Sequence, residues 1–124
     1  MNENELDDAL TTIFDAQTAL QTKYGFDFQK MNTAQAIEYI AWNNHGLVVE
    51  AGEMVSETGW KPWATSRHIN RKEFVEEGID VMKFLLNQLL AVGVTPAEFL
   101  EVFLAKTVVN HERQENGYTG KKTA

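Results

Sequence analysis

The chain has 124 residues, a formal net charge of −7 and no cysteine. This length suits one domain with a modest core, and the lack of cysteine excludes disulfides, thiolate zinc sites and a cysteine nucleophile. The acidic balance argues against nucleic acid or an anionic membrane as the main partner, because both normally require basic patches. The first ten residues, MNENELDDAL, do not resemble a signal peptide, and no apolar run reaches the roughly 20 residues that cross a bilayer. We therefore expect a cytoplasmic protein.

Four segments have the three- and four-residue apolar spacing of amphipathic helices, and none has convincing strand alternation. The first runs from about Glu5 to Tyr24, with Gly25 as a plausible stop. The second begins near Thr33, which we expect to be its N-cap, and extends to about Thr58.

Two glycines inside the second helix, Gly46 and Gly52, indicate the close approach of another backbone or of a ligand, or else a kink. Trp42 in the same helix is expected in the core. A connector from Trp60 to Ile69 follows, and the third helix begins after Asn70 and continues to Gly93. We expect Asn70 and Glu73 to form a capping box there.

The fourth helix has the clearest N-terminal signature, with Thr95 as the cap, Pro96 at the first helical position and Glu98 reaching back to the cap. It should end near Gly117. The pattern predicts an all-α bundle of four to five helices in a single domain over residues 1–124, with a frayed tail at 119–124. Because the second and third helices are apolar around much of their circumference, we expect the bundle to oligomerise through apolar helix faces.

Two carboxylate pairs with matching spacing lie on neighbouring helices. Glu50 and Glu53 share one face of the second helix, and Glu77 and Asp80 repeat the three-residue step on the third. If these helices pack antiparallel, as their short connection favours, the four carboxylates can converge. Alternatively, each pair belongs to a solvated helix face, as single pairs of this kind usually do.

Converging carboxylates repel each other unless cations lie between them. A donor set made only of hard oxygen ligands suits Mg²⁺, with Mn²⁺ as a substitute, better than zinc. Because Mg²⁺ in such sites usually keeps coordination positions for substrate phosphates, the four acids predict a phosphate-bearing substrate.

The ordered motifs resemble a known superfamily. An E-x-x-E pair followed by an E-x-x-D pair is similar to the all-α nucleoside triphosphate pyrophosphatases, which include the MazG proteins and the dimeric dUTPases. Trp60-Lys61-Pro62-Trp63 and the stretch KTVVNHERQENGY, residues 106–118, resemble the dimeric dUTPase branch with its phage-encoded members. The chain departs from that branch in being shorter and in having Trp60 where phenylalanine is common.

The resemblance implies Mg²⁺-dependent hydrolysis of dUTP to dUMP and pyrophosphate. Glu50, Glu53, Glu77 and Asp80 would hold the metal, and Glu53 would orient or deprotonate the attacking water. Two glutamines of the first helix occupy the region that recognises the base, although their spacing differs from the family pattern; they are Gln17 and Gln21.

The remaining substrate contacts are expected from the connector and the fourth helix. Lys106, Asn110 and Arg113 share one helix face and suit phosphate and sugar oxygens, unless they only stabilise the helix C-terminus. Lys61 and Trp63 can cover the nucleotide, the lysine on phosphate and an indole on the base, unless the tryptophans plug the end of the bundle. Tyr118 can close over the nucleotide.

Two other functions remain open from the sequence. One is a broader MazG-like pyrophosphatase that acts on other nucleotides, and the other is a catalytically silent helical interaction module. For the leading function we expect a homodimer or higher homo-oligomer, located in the host cytoplasm if a phage encodes the chain.

Overall fold

The computed structural model describes residues 3–117 and contains four α-helices in that range. They are α1 (Glu3–Lys23), α2 (Thr33–Ser56), α3 (Arg71–Ala91) and α4 (Pro96–Glu115). The β-structure of the described residues is limited to one antiparallel bridge between Thr58 and Ile69. The predicted all-α bundle is therefore confirmed, with four helices.

The N-terminus of α2 is capped one residue earlier than predicted. Asn32 accepts a hydrogen bond from the backbone N–H of Gln35 at 2.9 Å, and the Gln35 side chain accepts one from the backbone N–H of Asn32 at 3.0 Å. This reciprocal pair is a complete capping box. The assignment of Thr33 as the cap was wrong, because the Asn32 amide supplies the acceptor and Thr33 becomes the first helical residue.

The capping box predicted for α3 was also wrong. Asn70 stands at the cap position, but its side chain makes no capping hydrogen bond. Its backbone N–H, which Glu73 was expected to bind, instead donates to the carbonyl oxygen of Glu57 at 2.8 Å. Together with the Thr58–Ile69 bridge, this bond ties the start of α3 to the end of α2.

The N-cap and the proline predicted for α4 are confirmed, whereas the predicted hydrogen bond from the Glu98 carboxylate back to the cap is absent among the described residues. The Thr95 side chain accepts a hydrogen bond from the backbone N–H of Glu98 at 3.2 Å, and Pro96 is the first helical residue. Three of the glycines predicted to stop helices have positive φ angles, which side chains with a Cβ rarely adopt. They are Gly25, Gly93 and Gly117, at +93°, +80° and +65°.

Helices α2 and α3 form a tight antiparallel hairpin, as the short connection predicted. A Cβ atom added to Gly46 would lie 2.6 Å from Cε1 of the Phe84 ring, so the glycine lets α3 approach α2 closely. The close approach predicted at Gly46 is thus made by an aromatic side chain of α3. Gly52 differs, since a Cβ atom there would meet nothing within 4 Å.

Helix α4 leaves the hairpin instead of completing a compact bundle. Its axis turns by 108° from that of α3, and none of its Cα atoms lies within 8 Å of a Cα atom of α2 or α3. It contacts α1, where the rings of Phe14 and Phe99 meet edge to face with centroids 5.6 Å apart. Because α4 does not pack on the hairpin, the hydrophobic core that the described residues form within one chain is small.

The buried hydrophobic side chains in that part of the chain are few, namely Phe14, Tyr39 and Leu86. The expectation that Trp42 is a core residue was wrong, because 61% of its surface is exposed. No single helix within residues 3–117 is long and apolar enough to cross a membrane; α3 and α4 reach that length and composition only when taken together across their bend.

Candidate metal and nucleotide site

Three of the four predicted acidic residues meet between α2 and α3. Glu50 and Glu53 project from adjacent turns near the end of α2, and Glu77 faces them from α3. One carboxylate oxygen of each lies within 4.8 Å of the other two. Asp80, one turn further along α3, is exposed and is not brought within that distance. We name Glu50, Glu53 and Glu77 the carboxylate cluster.

The carboxylate cluster carries uncompensated electrostatic repulsion. One oxygen of Glu50 and one of Glu77, both Oε2, are buried and accept no hydrogen bond from the described residues. The adjacent Glu77 carboxyl, followed by burial and the Glu53 carboxyl, raises the pKa of Glu50 to about 7. In the absence of a cation, Glu50 therefore retains a proton at pH values where an ordinary glutamate is ionised.

This environment fits a divalent cation. Buried polar atoms in folded proteins almost always have partners, so the two orphaned carboxylate oxygens of Glu50 and Glu77 are suited to a positively charged ligand. A set of three carboxylates matches the preference of Mg²⁺ and Mn²⁺ for oxygen donors. The predicted metal ligands Glu50, Glu53 and Glu77 thus have the geometry for the role.

An open groove of about 530 Å³ runs beside the carboxylate cluster. We name it the acidic groove, and its walls are Val49, Gly52, Glu53, Ser56, Glu57 and Glu77. A neighbouring hollow of about 250 Å³ is lined by Ser56, Thr58, Gly59, Trp60, Lys61 and Ala64. Because both include Ser56, the hollow that Lys61 lines adjoins the acidic groove.

The connector after α2 holds its aromatic residues outward. Trp63 is 75% exposed and Trp60 is 50% exposed, so neither indole plugs the end of the bundle within this chain. The Lys61 ammonium lies 6.0 Å from the centroid of the Trp63 ring. Arg67 fixes the loop, since its guanidinium donates to the carbonyl oxygens of Gly59 at 2.8 Å and Pro62 at 3.2 Å.

The two glutamines predicted to recognise the base are buried between the helices, with 5% of Gln17 and 7% of Gln21 exposed. The Gln17 amide donates to Oδ1 of Asn87 at 2.7 Å, and Gln21 accepts from the Tyr39 hydroxyl at 2.6 Å. Both side chains therefore belong to a hydrogen-bond network of this chain.

The network continues through residues that the sequence analysis did not single out. Asn87 donates to Oδ1 of Asn43 at 2.8 Å, and Asn43 donates to the backbone carbonyl of Tyr39 at 2.8 Å. Burial raises the pKa of the Tyr39 hydroxyl to about 12, partly offset by Asn43, so the hydroxyl stays protonated and donates to Gln21. A signal was present in the sequence, because Asn87 interrupts the apolar run FLLNQLL.

The predicted phosphate-binding residues of α4 lie away from the cluster. Lys106, Asn110 and Arg113 are exposed and occupy the part of α4 beyond its contact with α1. No Cα atom of α4 lies within 8 Å of a Cα atom of α2 or α3, the two helices that carry Glu50, Glu53 and Glu77. Tyr118 lies outside the described residues.

A third cavity, of about 380 Å³, lies beside the connection between α1 and α2. Phe26, Tyr39 and Trp42 contribute aromatic rings to its wall, and Asp27, Lys30 and Glu38 contribute charges. It is separate from the acidic groove, because the two share no lining residue.

The four-helix fold and the carboxylate cluster between α2 and α3 point to an all-α nucleotide pyrophosphatase. A family model described as dUTPase matches residues 9–99, well over half of the chain, and the chain belongs to this family. The match includes the whole cluster and ends before the basic face of α4. Comparisons with curated proteins and with solved structures found no match.

Proposed function

We propose that the protein hydrolyses dUTP to dUMP and pyrophosphate with Mg²⁺ as cofactor. The observation that carries the proposal is the convergence of Glu50, Glu53 and Glu77 within 4.8 Å, in a chain that belongs to the dUTPase family. Bound Mg²⁺ would neutralise the phosphates and lower the pKa of a water for attack. Glu50, Glu77 and Glu53 would hold it, with Asp80 as a fourth ligand from the adjacent turn of α3.

The members of the cluster differ in exposure, and this suggests different roles. Glu50 and Glu77 each have a buried carboxylate oxygen, which suits side chains that hold a cation in a fixed position. Glu53 is exposed and lines the acidic groove, so its second oxygen is accessible to a water molecule there. We therefore assign to Glu53 the orientation or deprotonation of the attacking water.

The distance along α2 between the buried amide network and the carboxylate cluster matches the length of a nucleotide. Asn43 of the buried amide network and Glu50 of the cluster lie on one helix face two turns apart, about 10 Å along the axis. We propose that the base lies toward Gln17 and Gln21 while the phosphates reach the carboxylates. One polar group of each glutamine, Oε1 of Gln17 and Nε2 of Gln21, makes no hydrogen bond with the described residues and could read the base edge.

The connector supplies the cover of the site in this proposal. Lys61 lines the hollow that adjoins the acidic groove, and its ammonium could bind a phosphate oxygen. Trp63 is exposed beside it and could stack on the base or ribose. The hydrogen bonds of Arg67 to Gly59 and Pro62 would hold this cover in shape.

The test is pyrophosphate release from a panel of ribonucleoside and deoxyribonucleoside triphosphates, with and without Mg²⁺. We expect metal-dependent turnover with a strong preference for dUTP. Broad turnover would support the MazG-like function instead, and no turnover with either Mg²⁺ or Mn²⁺ would leave the silent interaction module.

Substitution of Glu53 tests its role within that reaction. Glu53→Gln should lower kcat by roughly 100-fold or more, the usual contribution of a general base, with unchanged helical circular dichroism. Glu76→Gln is the matched control, because Glu76 is an exposed glutamate next to Glu77 and outside the cluster. Full activity of Glu53→Gln would remove this residue from the mechanism.

A further inference from the structure

Three side-chain amides form one continuous series of hydrogen bonds between the helices. Asn43 donates to the backbone carbonyl oxygen of Tyr39 at 2.8 Å, and Asn87 donates to Oδ1 of Asn43 at 2.8 Å. Gln17 then donates to Oδ1 of Asn87 at 2.7 Å. All three amide residues are buried, and we name Asn43, Asn87 and Gln17 the amide relay.

The direction of the amide relay is fixed by its contact with the backbone. A backbone carbonyl oxygen can only accept a hydrogen bond, so Asn43 must present its NH₂ group to Tyr39. Oδ1 of Asn43 then faces Asn87, which must present its own NH₂ group there. Oδ1 of Asn87 is left for Gln17, and that glutamine must bind it through Nε2. The free end of the relay is therefore a hydrogen-bond acceptor, Oε1 of Gln17.

This free acceptor is not sealed inside the protein. Among the described residues, the side-chain polar atoms that lack both solvent contact and a partner are the Oε2 atoms of Glu50 and Glu77. Oε1 of Gln17 makes no hydrogen bond within residues 3–117 and is not one of these sealed atoms. It therefore keeps contact with solvent, and a ligand can reach it.

A second glutamine, one turn further along α1, is held with the opposite polarity. Oε1 of Gln21 accepts a hydrogen bond from the Tyr39 hydroxyl at 2.6 Å. Burial raises the pKa of that hydroxyl to about 12, so it stays protonated and donates. The donor Nε2 of Gln21 is thus left for a ligand. Because positions four apart share a helix face, Gln17 and Gln21 offer an acceptor and a donor side by side.

An acceptor beside a donor matches the base edge of uracil and opposes that of cytosine. Uracil has an N–H donor at N3 next to a carbonyl acceptor at O4. Cytosine has an acceptor at N3 next to an amino donor at N4. Cytosine in the same position would place like groups against both glutamines, and a site with mispaired polar groups rejects such an analogue. Thymine has the same edge as uracil, so this contact does not separate those two bases.

We propose that Asn43 and Asn87 are positioning residues for base selection, because they hold the Gln17 amide with its oxygen toward the base. The backbone carbonyl of Tyr39, whose polarity cannot be reversed, is then the origin of the choice of uracil over cytosine. Both asparagines act through Gln17. This inference rests on the proposed function and adds to it the residues that set its base preference.

The experiment compares kcat/KM for dUTP and dCTP in two variants of Asn43. Asn43→Leu keeps a similar size but neither donates nor accepts, so Asn87 and Gln17 lose their fixed direction. We expect the ratio of kcat/KM for dUTP to that for dCTP to fall roughly 10-fold or more. Asn43→Asp, when protonated, can donate to the Tyr39 carbonyl and still accept from Asn87, so it should restore a ratio close to the wild-type value.

Asn44→Leu is the matched control. Asn44 also bonds across the hairpin, to Gln88 at 3.1 Å, but this bond is exposed and lies outside the amide relay, so the ratio should not change. A loss of stability alone would lower the turnover of both nucleotides together and leave their ratio unchanged. An unchanged ratio in Asn43→Leu would overturn the proposal, as would an equal fall of the ratio in Asn43→Asp.

A second measurement uses the wild-type protein and needs neither turnover nor a folded variant. Titration calorimetry compares the binding of dUMP, dCMP and dUMP methylated at N3. We expect dUMP to bind roughly 10-fold or more tightly than the other two, since it alone has a donor at N3. Equal affinity for all three, or binding of none, would overturn the proposal. A preference for dUMP without turnover of any nucleotide would contradict the proposed function and leave the role of the amide relay supported.

Discussion

Replacement of Asn87 by alanine should destabilise the fold by roughly 2–5 kcal/mol. Asn87 is 4% exposed and holds two buried side chains at once, as acceptor for Gln17 at 2.7 Å and as donor to Asn43 at 2.8 Å. Each buried group left without a partner costs about 1–3 kcal/mol, and the variant leaves two of them. With about 4 °C per kcal/mol for a chain of this size, Tm should fall by roughly 8–20 °C.

The neighbouring residue provides the control. Gln88 also bonds across the hairpin, accepting from Asn44 at 3.1 Å, but this bond is exposed and water can replace it. Gln88→Ala should therefore cost less than about 1 kcal/mol. The measurement is urea unfolding followed by circular dichroism at one protein concentration. Equal losses for the two variants would refute the view that the buried amide network stabilises the hairpin.

Two further predictions concern the hairpin. Gly46→Ala should destabilise the fold by about 1–3 kcal/mol, because the new methyl group meets the Phe84 ring at 2.6 Å. At Gly52 an added methyl group meets nothing within 4 Å, so Gly52→Ala should be neutral or stabilising by up to about 1 kcal/mol in the same unfolding assay. Similar unfolding midpoints for both would contradict the packing assigned to Gly46. The raised pKa of Glu50, about 7 against an ordinary 4.5, means that the folded state binds a proton which the unfolded state releases. The stability of the metal-free protein should therefore decline as the pH rises from about 4.5 to about 7. Thermal scans should also show that Mg²⁺ raises Tm more at pH 8 than at pH 5. Glu50→Gln should weaken both of these pH trends.

The helices and the carboxylate cluster could be predicted because both depend on local spacing. Glu50 and Glu53 share a face by helix geometry alone, and the short connection between α2 and α3 left the antiparallel hairpin as the simplest way to bring Glu77 opposite them. The family match over residues 9–99 agrees with the resemblance drawn from these motifs.

Features that depend on long-range packing were not predictable in the same way. The direction of α4 is set at the bend after α3, and the apolar spacing of α4 is the same whether it packs on its own chain or on another. Trp42 was expected in the core, yet the buried residues of its helix are Tyr39 and Asn43 instead. The cap at Asn70 failed because its N–H bonds to Glu57, a partner that sequence spacing does not reveal.

The orphaned oxygens of Glu50 and Glu77 have a consequence for how this sequence can vary. A substitution that removes one of these charges relieves repulsion across the hairpin. The metal-free protein should then be more stable, and its affinity for cations should be lower. Selection for thermal robustness and selection for cation binding therefore oppose each other at these two positions, and stabilising changes that preserve the carboxylate cluster are expected elsewhere in the chain.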